Sequence, residues 1–107
     1  MTHASLTPMT KLEVVVRGED VAAVTDALQA CGATGYTVLS AVSGLGHHGV
    51  QQGRLHFNDR DTLRMVLSVV PDDRADAVVS SMRRLFDDRP GVLFVTPTSV
   101  TRPEYFT

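Results

Sequence analysis

The sequence has little from which a covalent or metal-built scaffold could be made. Cys31 is its one cysteine, so neither an internal disulfide nor a cysteine-based zinc site can form. Near the end of an apolar helical pattern, such a residue reads as a small core side chain. No apolar stretch approaches the roughly 20 residues needed to cross a bilayer, and residues 1–10 lack the charged-then-apolar order of an export signal. Ten basic and twelve acidic residues are interspersed, for a formal charge of −2, without a like-charge run that could follow a nucleic-acid backbone or an anionic membrane. These absences point to a cytoplasmic protein with neither nucleic acid nor a membrane among its partners.

What is present fits one domain. A chain of 107 residues, 43% of them hydrophobic, has a small core, and burial against further copies of itself would add what a single copy lacks. Residues 1–10 show no hydrophobic period and are expected to be a disordered leader, with the domain spanning residues 11–107. The run LEVVV, residues 12–16, reads as a buried strand. Val21, Val24, Leu28 and Cys31 then recur at helical spacing, with Asp20 placed as an N-cap and Gly32 as the stop. GYTVLSAV and TLRMVLSVV are strand candidates on either side of a polar gap, residues 43–61. The four glycines Gly44, Gly46, Gly49 and Gly53 within ten residues of that gap carry a high entropic cost of ordering and predict a mobile excursion. Pro71, Asp72 and Asp73 open a second helix, Arg83 and Arg84 suit its C-terminal dipole, and residues 87–91 have turn chemistry before a buried strand VLFV, residues 92–95. A short extension is expected to close the chain.

The order strand, helix, strand, long loop, strand, helix, strand is the split βαβ pattern of an α+β, ferredoxin-like sandwich, with an antiparallel sheet and both helices on one face. That architecture serves many functions, so motifs must decide among them.

Residues 31–49, CGATGYTVLSAVSGLGHHG, resemble the entry to the T-loop of PII signal-transduction proteins, with Gly35, Tyr36, Thr37 and Val38 matching the Gly-X-Thr-Val that opens the family's second strand. RLFDDRPGVLFVTP, residues 84–97, lies where that family carries its B-loop, and the GHHG variant is similar to the carboxysome-associated PII-like proteins. The resemblance covers residues 11–105. It implies a homotrimer that is not an enzyme, with adenine nucleotide bound at clefts between subunits. Gly35, Tyr36, Thr37 and Val38 would line the cleft at the loop base, Asp88, Arg89, Pro90 and Gly91 would form the B-loop, and Arg102 would come from the C-terminal segment. The loop residues Ser43, Gly44, Gly46, His47, His48, Gly49 and Arg54 are the candidates for bicarbonate binding or for contact with a target protein, a bicarbonate transporter or carboxysome-related component.

Departures from the family pattern refine this expectation. Val92 stands where PII B-loops carry a lysine for the outer phosphates, so AMP or ADP should be favoured over ATP. No tyrosine lies between Tyr36 and Tyr105, which removes the T-loop modification site, and the lysine that helps fix 2-oxoglutarate is absent near Leu63. Two other readings remain open on the same pattern. His47 and His48 raise a divalent-metal-binding ferredoxin-like trimer, although two adjacent histidines make a poor chelate. An acyl phosphatase would need an asparagine positioned by its phosphate loop, but Asn58, the one asparagine, lies in the long gap. Asp59, Asp61, Asp72 and Asp73 have no nucleophile and base beside them in the pattern. Tyr105 and Phe106 are expected to pack on a neighbouring subunit.

Overall fold

The computed structural model describes residues 5–42, 45–46, 49–50 and 62–107. Its order is β1 (Thr7–Arg17), a 3-10 turn (Gly18–Asp20), α1 (Val21–Ala30), β2 (Thr37–Val42), two short strands β3 (Leu45–Gly46) and β4 (Gly49–Val50), β5 (Leu63–Val70), α2 (Asp72–Leu85), β6 (Val92–Val100) and a closing 3-10 turn (Pro103–Tyr105). The main sheet is antiparallel with strand order β2-β5-β1-β6. This is the ferredoxin-like arrangement that the element order predicts.

β1 lies in the centre because its residues can bury one face completely. Leu12, Val14 and Val16 alternate along it and are at most 1% exposed, while Lys11, Glu13, Val15 and Arg17 point to the opposite face, as the two-residue period of a strand requires. Val66 and Val70 continue the buried face on β5. Val24 and Leu28 from α1, with Val78 and Met82 from α2, close over it to form the core. Each such side chain contributes about 1.5–3 kcal/mol of gross transfer energy. Both helices therefore occupy one face of the sheet, and they touch each other across it.

The two largest boundary differences from the sequence expectation arise because the ladder continues beyond the apolar runs. β1 starts at Thr7 rather than within residues 12–16, since Thr7 to Lys11 pair with Val100 to Thr96, and Met9, inside the expected leader, is only 4% exposed. The last strand runs to Val100 for the same reason and is not a short strand with an extension, nor is it buried in the single chain, because it lies at the sheet edge with Val92, Phe94 and Val95 exposed. Backbone hydrogen bonding extends these strands through Thr, Ser and Pro residues that carry little hydrophobic signal.

The helix ends follow local chemistry. Gly32 adopts φ +93°, a left-handed conformation that glycine reaches without a Cβ clash, and Arg74 of α2 donates from Nη1 to the Gly32 carbonyl at 2.7 Å. Asp72 sits in the first turn of α2 and accepts from Thr10 Oγ1 at 2.7 Å. Cys31 is half-buried against the core, with Sγ 3.5 Å from the Ala77 carbonyl. Asp20 occupies the position before α1, but its side chain makes no capping bond. That expectation is corrected: the carboxylate is turned towards arginines, as described below.

Gly32→Ala should lower stability by about 1–2 kcal/mol through left-handed strain, read as a shift in the denaturant midpoint at unchanged m-value. An unshifted midpoint would mean that the backbone relaxes to negative φ without cost.

Candidate functional site

The candidates from the sequence fall into two groups, and the sheet register shows how they lie. Thr37 pairs with Leu67, which pairs with Glu13, which pairs with Phe94; one residue on, Val38, Val66, Val14 and Leu93 form the next row. The start of β2, Thr37, and the start of β6, Val92, therefore lie two rows apart on opposite edges of one sheet. Three inter-strand spacings separate them, about 14 Å.

At the β2 edge, the Gly35 carbonyl accepts from Ser68 Oγ at 2.7 Å, which satisfies a hydroxyl that is otherwise 3% exposed. A Cβ built on Gly35 would meet nothing within 4 Å, so the fold of a single chain does not itself demand glycine there. Tyr36 is 44% exposed and Val38 37% exposed. The C-terminal segment joins this group. Thr34 Oγ1 donates to the Tyr105 carbonyl at 2.9 Å. Arg102 donates from Nη1 to Tyr105 Oη at 2.9 Å, with its guanidinium 5.5 Å from the ring centroid. Arg102 is thus held by an aromatic ring of its own segment, and that segment is tied to Thr34 just before the loop base.

At the β6 edge, the turn of residues 87–91 follows α2 directly, with the Asp87 N–H donating to the Arg84 carbonyl at 3.3 Å. Gly91 has a steric role here, because a Cβ at this position would collide with the Phe86 ring. Arg89 reaches back to the β1–α1 connection, where its Nε lies 3.4 Å from Asp20 Oδ1, and its Nη1 lies 3.9 Å from Asp88 Oδ1. The other oxygen of Asp20, Oδ2, lies 3.5 Å from Arg17 Nη2, and Arg17 Nη1 lies 3.3 Å from Glu19 Oε1. Asp20 is 6% exposed overall. A carboxylate that far from water needs compensating partners, and two guanidinium groups supply them. A shallow groove lined by Met82, Arg83, Phe86 and Leu93 adjoins the turn between α2 and β6.

Of the loop candidates, Gly46 and Gly49 pair across the β3–β4 ladder. Ser43, Gly44, His47, His48 and Arg54 lie outside the described residues, as do Asn58, Asp59 and Asp61. Among the described residues no group of three or more His, Cys, Asp or Glu side chains could hold a metal ion, and no helix is long and apolar enough to cross a membrane. Asp20 and Arg17 were not singled out as site residues by their pattern. An Asp before a helix ordinarily reads as a cap, and only the approach of Arg89 from 69 positions later in the chain, by the difference of the two numbers, reveals its other role.

Comparison with known proteins settles the family. The model of the nitrogen regulatory protein P-II family matches residues 9–105. The chain belongs to the P-II family. Among solved structures, this PII-like protein is similar to CPII, a nitrogen regulatory PII-like protein from Thiomonas intermedia K12 bound to ADP, AMP and bicarbonate, with 36% identity, a TM-score of 0.87 and coverage of 94% of this chain and 95% of that one. The same protein bound to ADP and bicarbonate matches at 32% identity and TM-score 0.84, covering 95% and 97% of the two chains. Bound to ADP, AMP and acetate, it matches at 33% identity and TM-score 0.78, covering 94% and 96%. None of the curated protein sequences compared matches this chain. The family is one of regulatory proteins, and the fold read from the sequence is its fold.

Gly91→Ala should destabilise by about 1–3 kcal/mol, because Phe86 must leave its place against the core to admit the methyl group. Thermal and denaturant unfolding would measure it, and the paired variant Gly91→Ala/Phe86→Leu should recover part of the loss. Full stability of the single variant would show that the turn can open without the ring.

Proposed function

We propose that this protein is a trimeric cytoplasmic sensor that binds AMP or ADP in preference to ATP at clefts between subunits, together with bicarbonate. It would signal inorganic carbon or energy status through residues 43–61 to a bicarbonate transporter or carboxysome-related protein. The observation that carries this reading is the 36% identity, over 94% of the chain, to a PII-like protein bound to ADP, AMP and bicarbonate.

Two features of the fold support it. The loop base and the turn of residues 87–91 stand at opposite edges of one sheet, so a ligand touching both kinds of segment is best served where the edge of one copy meets that of another. The helix-free face also carries an apolar row, Leu39, Met65, Val15 and Val92, with Phe94 two rows away on the same face. Leu39, Val92 and Phe94 are 46%, 48% and 52% exposed in a single copy. Burying that row against other copies would return about 25 cal/mol for each Å² removed from water, and three sheets facing one axis would do so. In the nucleotide cleft, Gly35, Tyr36, Thr37 and Val38 would contact the base and ribose side, and Asp88, Arg89, Pro90 and Gly91 the phosphates. Arg102, released from Tyr105, would add a second cation. Ser43, Gly44, Gly46, His47, His48, Gly49 and Arg54 would hold the small anion or the target. Backbone N–H groups of a glycine-rich segment suit bicarbonate without the larger pocket that a dicarboxylate needs.

Light scattering should give about three times the 11.6 kDa chain mass; a monomer at micromolar concentration would contradict the assembly. Calorimetric titration should show AMP and ADP binding at least as tightly as ATP. Bicarbonate should tighten ADP or AMP binding by the same factor that nucleotide tightens bicarbonate binding, since coupling is reciprocal. With chloride as control anion, no effect of bicarbonate together with a strong effect of 2-oxoglutarate would favour nitrogen sensing instead.

A further inference from the structure

The turn that the nucleotide reading assigns to phosphates holds one cation, Arg89, and that cation is already engaged. Its Nε faces Asp20 Oδ1 at 3.4 Å and its Nη1 faces Asp88 Oδ1 at 3.9 Å. Asp20 is a built part of this arrangement. Its side chain is 8% exposed while that of Arg89 is 40% exposed, so the carboxylate is fixed beneath the turn and the guanidinium reaches down to it from the surface. Asp88, by contrast, is 83% exposed, and an ion pair in that position is weak. Asp20 is anchored on its other side by Arg17, whose second Nη is engaged by Glu19. Among the described residues these ion pairs set two guanidinium groups against three carboxylates, so Arg89 presents little uncompensated positive charge to an incoming phosphate.

We infer that Asp20 sets the phosphate-number selectivity of the 87–91 turn by holding and neutralising Arg89. The inference rests on the nucleotide reading proposed above. The buried carboxylate keeps Arg89 at the turn and cancels its charge. A nucleotide with more phosphates gains less attraction from Arg89 than the cation alone would offer, and it also meets the field of Asp20. Each added phosphate brings about one further negative charge, and two unit charges about 6 Å apart in water-like surroundings interact by about a factor of three in affinity. The penalty therefore grows with phosphate number, so Asp20 is a specificity-determining positioning residue that acts through Arg89.

The test is calorimetric titration of AMP, ADP and ATP in magnesium-free buffer against the full-length wild type and Asp20→Asn, which keeps the shape and removes the charge. Affinity for ATP should rise about tenfold relative to AMP, with ADP between them, about threefold per phosphate. Asp20→Glu, which restores the charge, should return the ATP/AMP ratio towards that of the wild type. Arg89→Gln should shift the ratio the opposite way, since it leaves the carboxylate unbalanced. The double variant Asp20→Asn/Arg89→Gln should lie within about twofold of the wild-type ratio, the two charge changes cancelling. Arg89→Gln alters an exposed side chain and keeps the series decisive if Asp20→Asn folds poorly; a ratio unchanged in Arg89→Gln would overturn the inference by itself. Equal shifts for all three nucleotides in Asp20→Asn would mark Asp20 as a structural support only and overturn it too. Wild-type protein that binds no adenine nucleotide would remove the nucleotide reading and this inference with it, whereas normal wild-type binding with an unchanged ratio in the variants removes the inference alone.

Discussion

The constraint on which the rest depends is that β1 must be bonded on both edges and buried on one face at once. Residues Thr10 to Arg17 pair with β5 and residues Thr7 to Val15 pair with β6, so the middle of the strand is hydrogen-bonded to a neighbour on each side. Leu12, Val14 and Val16 then have one face on which to bury, and α1 and α2 both cover it. Because the strand period is two, the remaining side chains all emerge on the other face. The helix-free apolar row of Leu39, Met65, Val15 and Val92 follows from that geometry.

The same constraint decides where ligand-binding chemistry can sit. With β1 and β5 in the middle, the segments that carry Gly35 to Val38 and Asp88 to Gly91 begin the two outer strands. Outer strands have open edges, which is where an approaching molecule or another copy of the chain finds free backbone and exposed side chains. A single sheet cannot fold these edges onto each other. In the proposed reading these two segments are halves of a ligand cleft, which assembly with another copy would complete.

Buried charge ties the β6 turn to the middle of the sheet. Asp20 follows directly on β1 through a three-residue turn, and Gly18 N–H donates to the Thr62 carbonyl at 2.8 Å, next to β5. Arg17 belongs to β1 itself. When Arg89 meets Asp20, the turn before β6 is tied to the connection that follows the central strand β1. The pairing of buried carboxylate with half-exposed guanidinium lets one partner stay fixed while the other faces solvent.

By itself the sequence determined the strand and helix order, the inward sets Leu12, Val14, Val16 and Val24, Leu28, and the glycine stop at Gly32. These are local and periodic, and hydrophobic spacing or backbone sterics encodes each within a few residues. It also carried the family, because Gly35-Tyr36-Thr37-Val38 and the 87–91 turn are contiguous motifs. The full lengths of β1 and β6 were not legible, since Thr7, Met9 and Thr98 to Val100 are held by cross-strand bonds that no local pattern announces. Nor was Asp20 legible as the partner of Arg89, or Arg102 as the partner of Tyr105 beside Thr34. The placement of residues 35–38 and 87–91 at opposite edges of the sheet also belonged to the tertiary structure alone. Charge pairing and strand order join residues far apart in the chain, and their energies exist only once the sheet has brought those residues within reach.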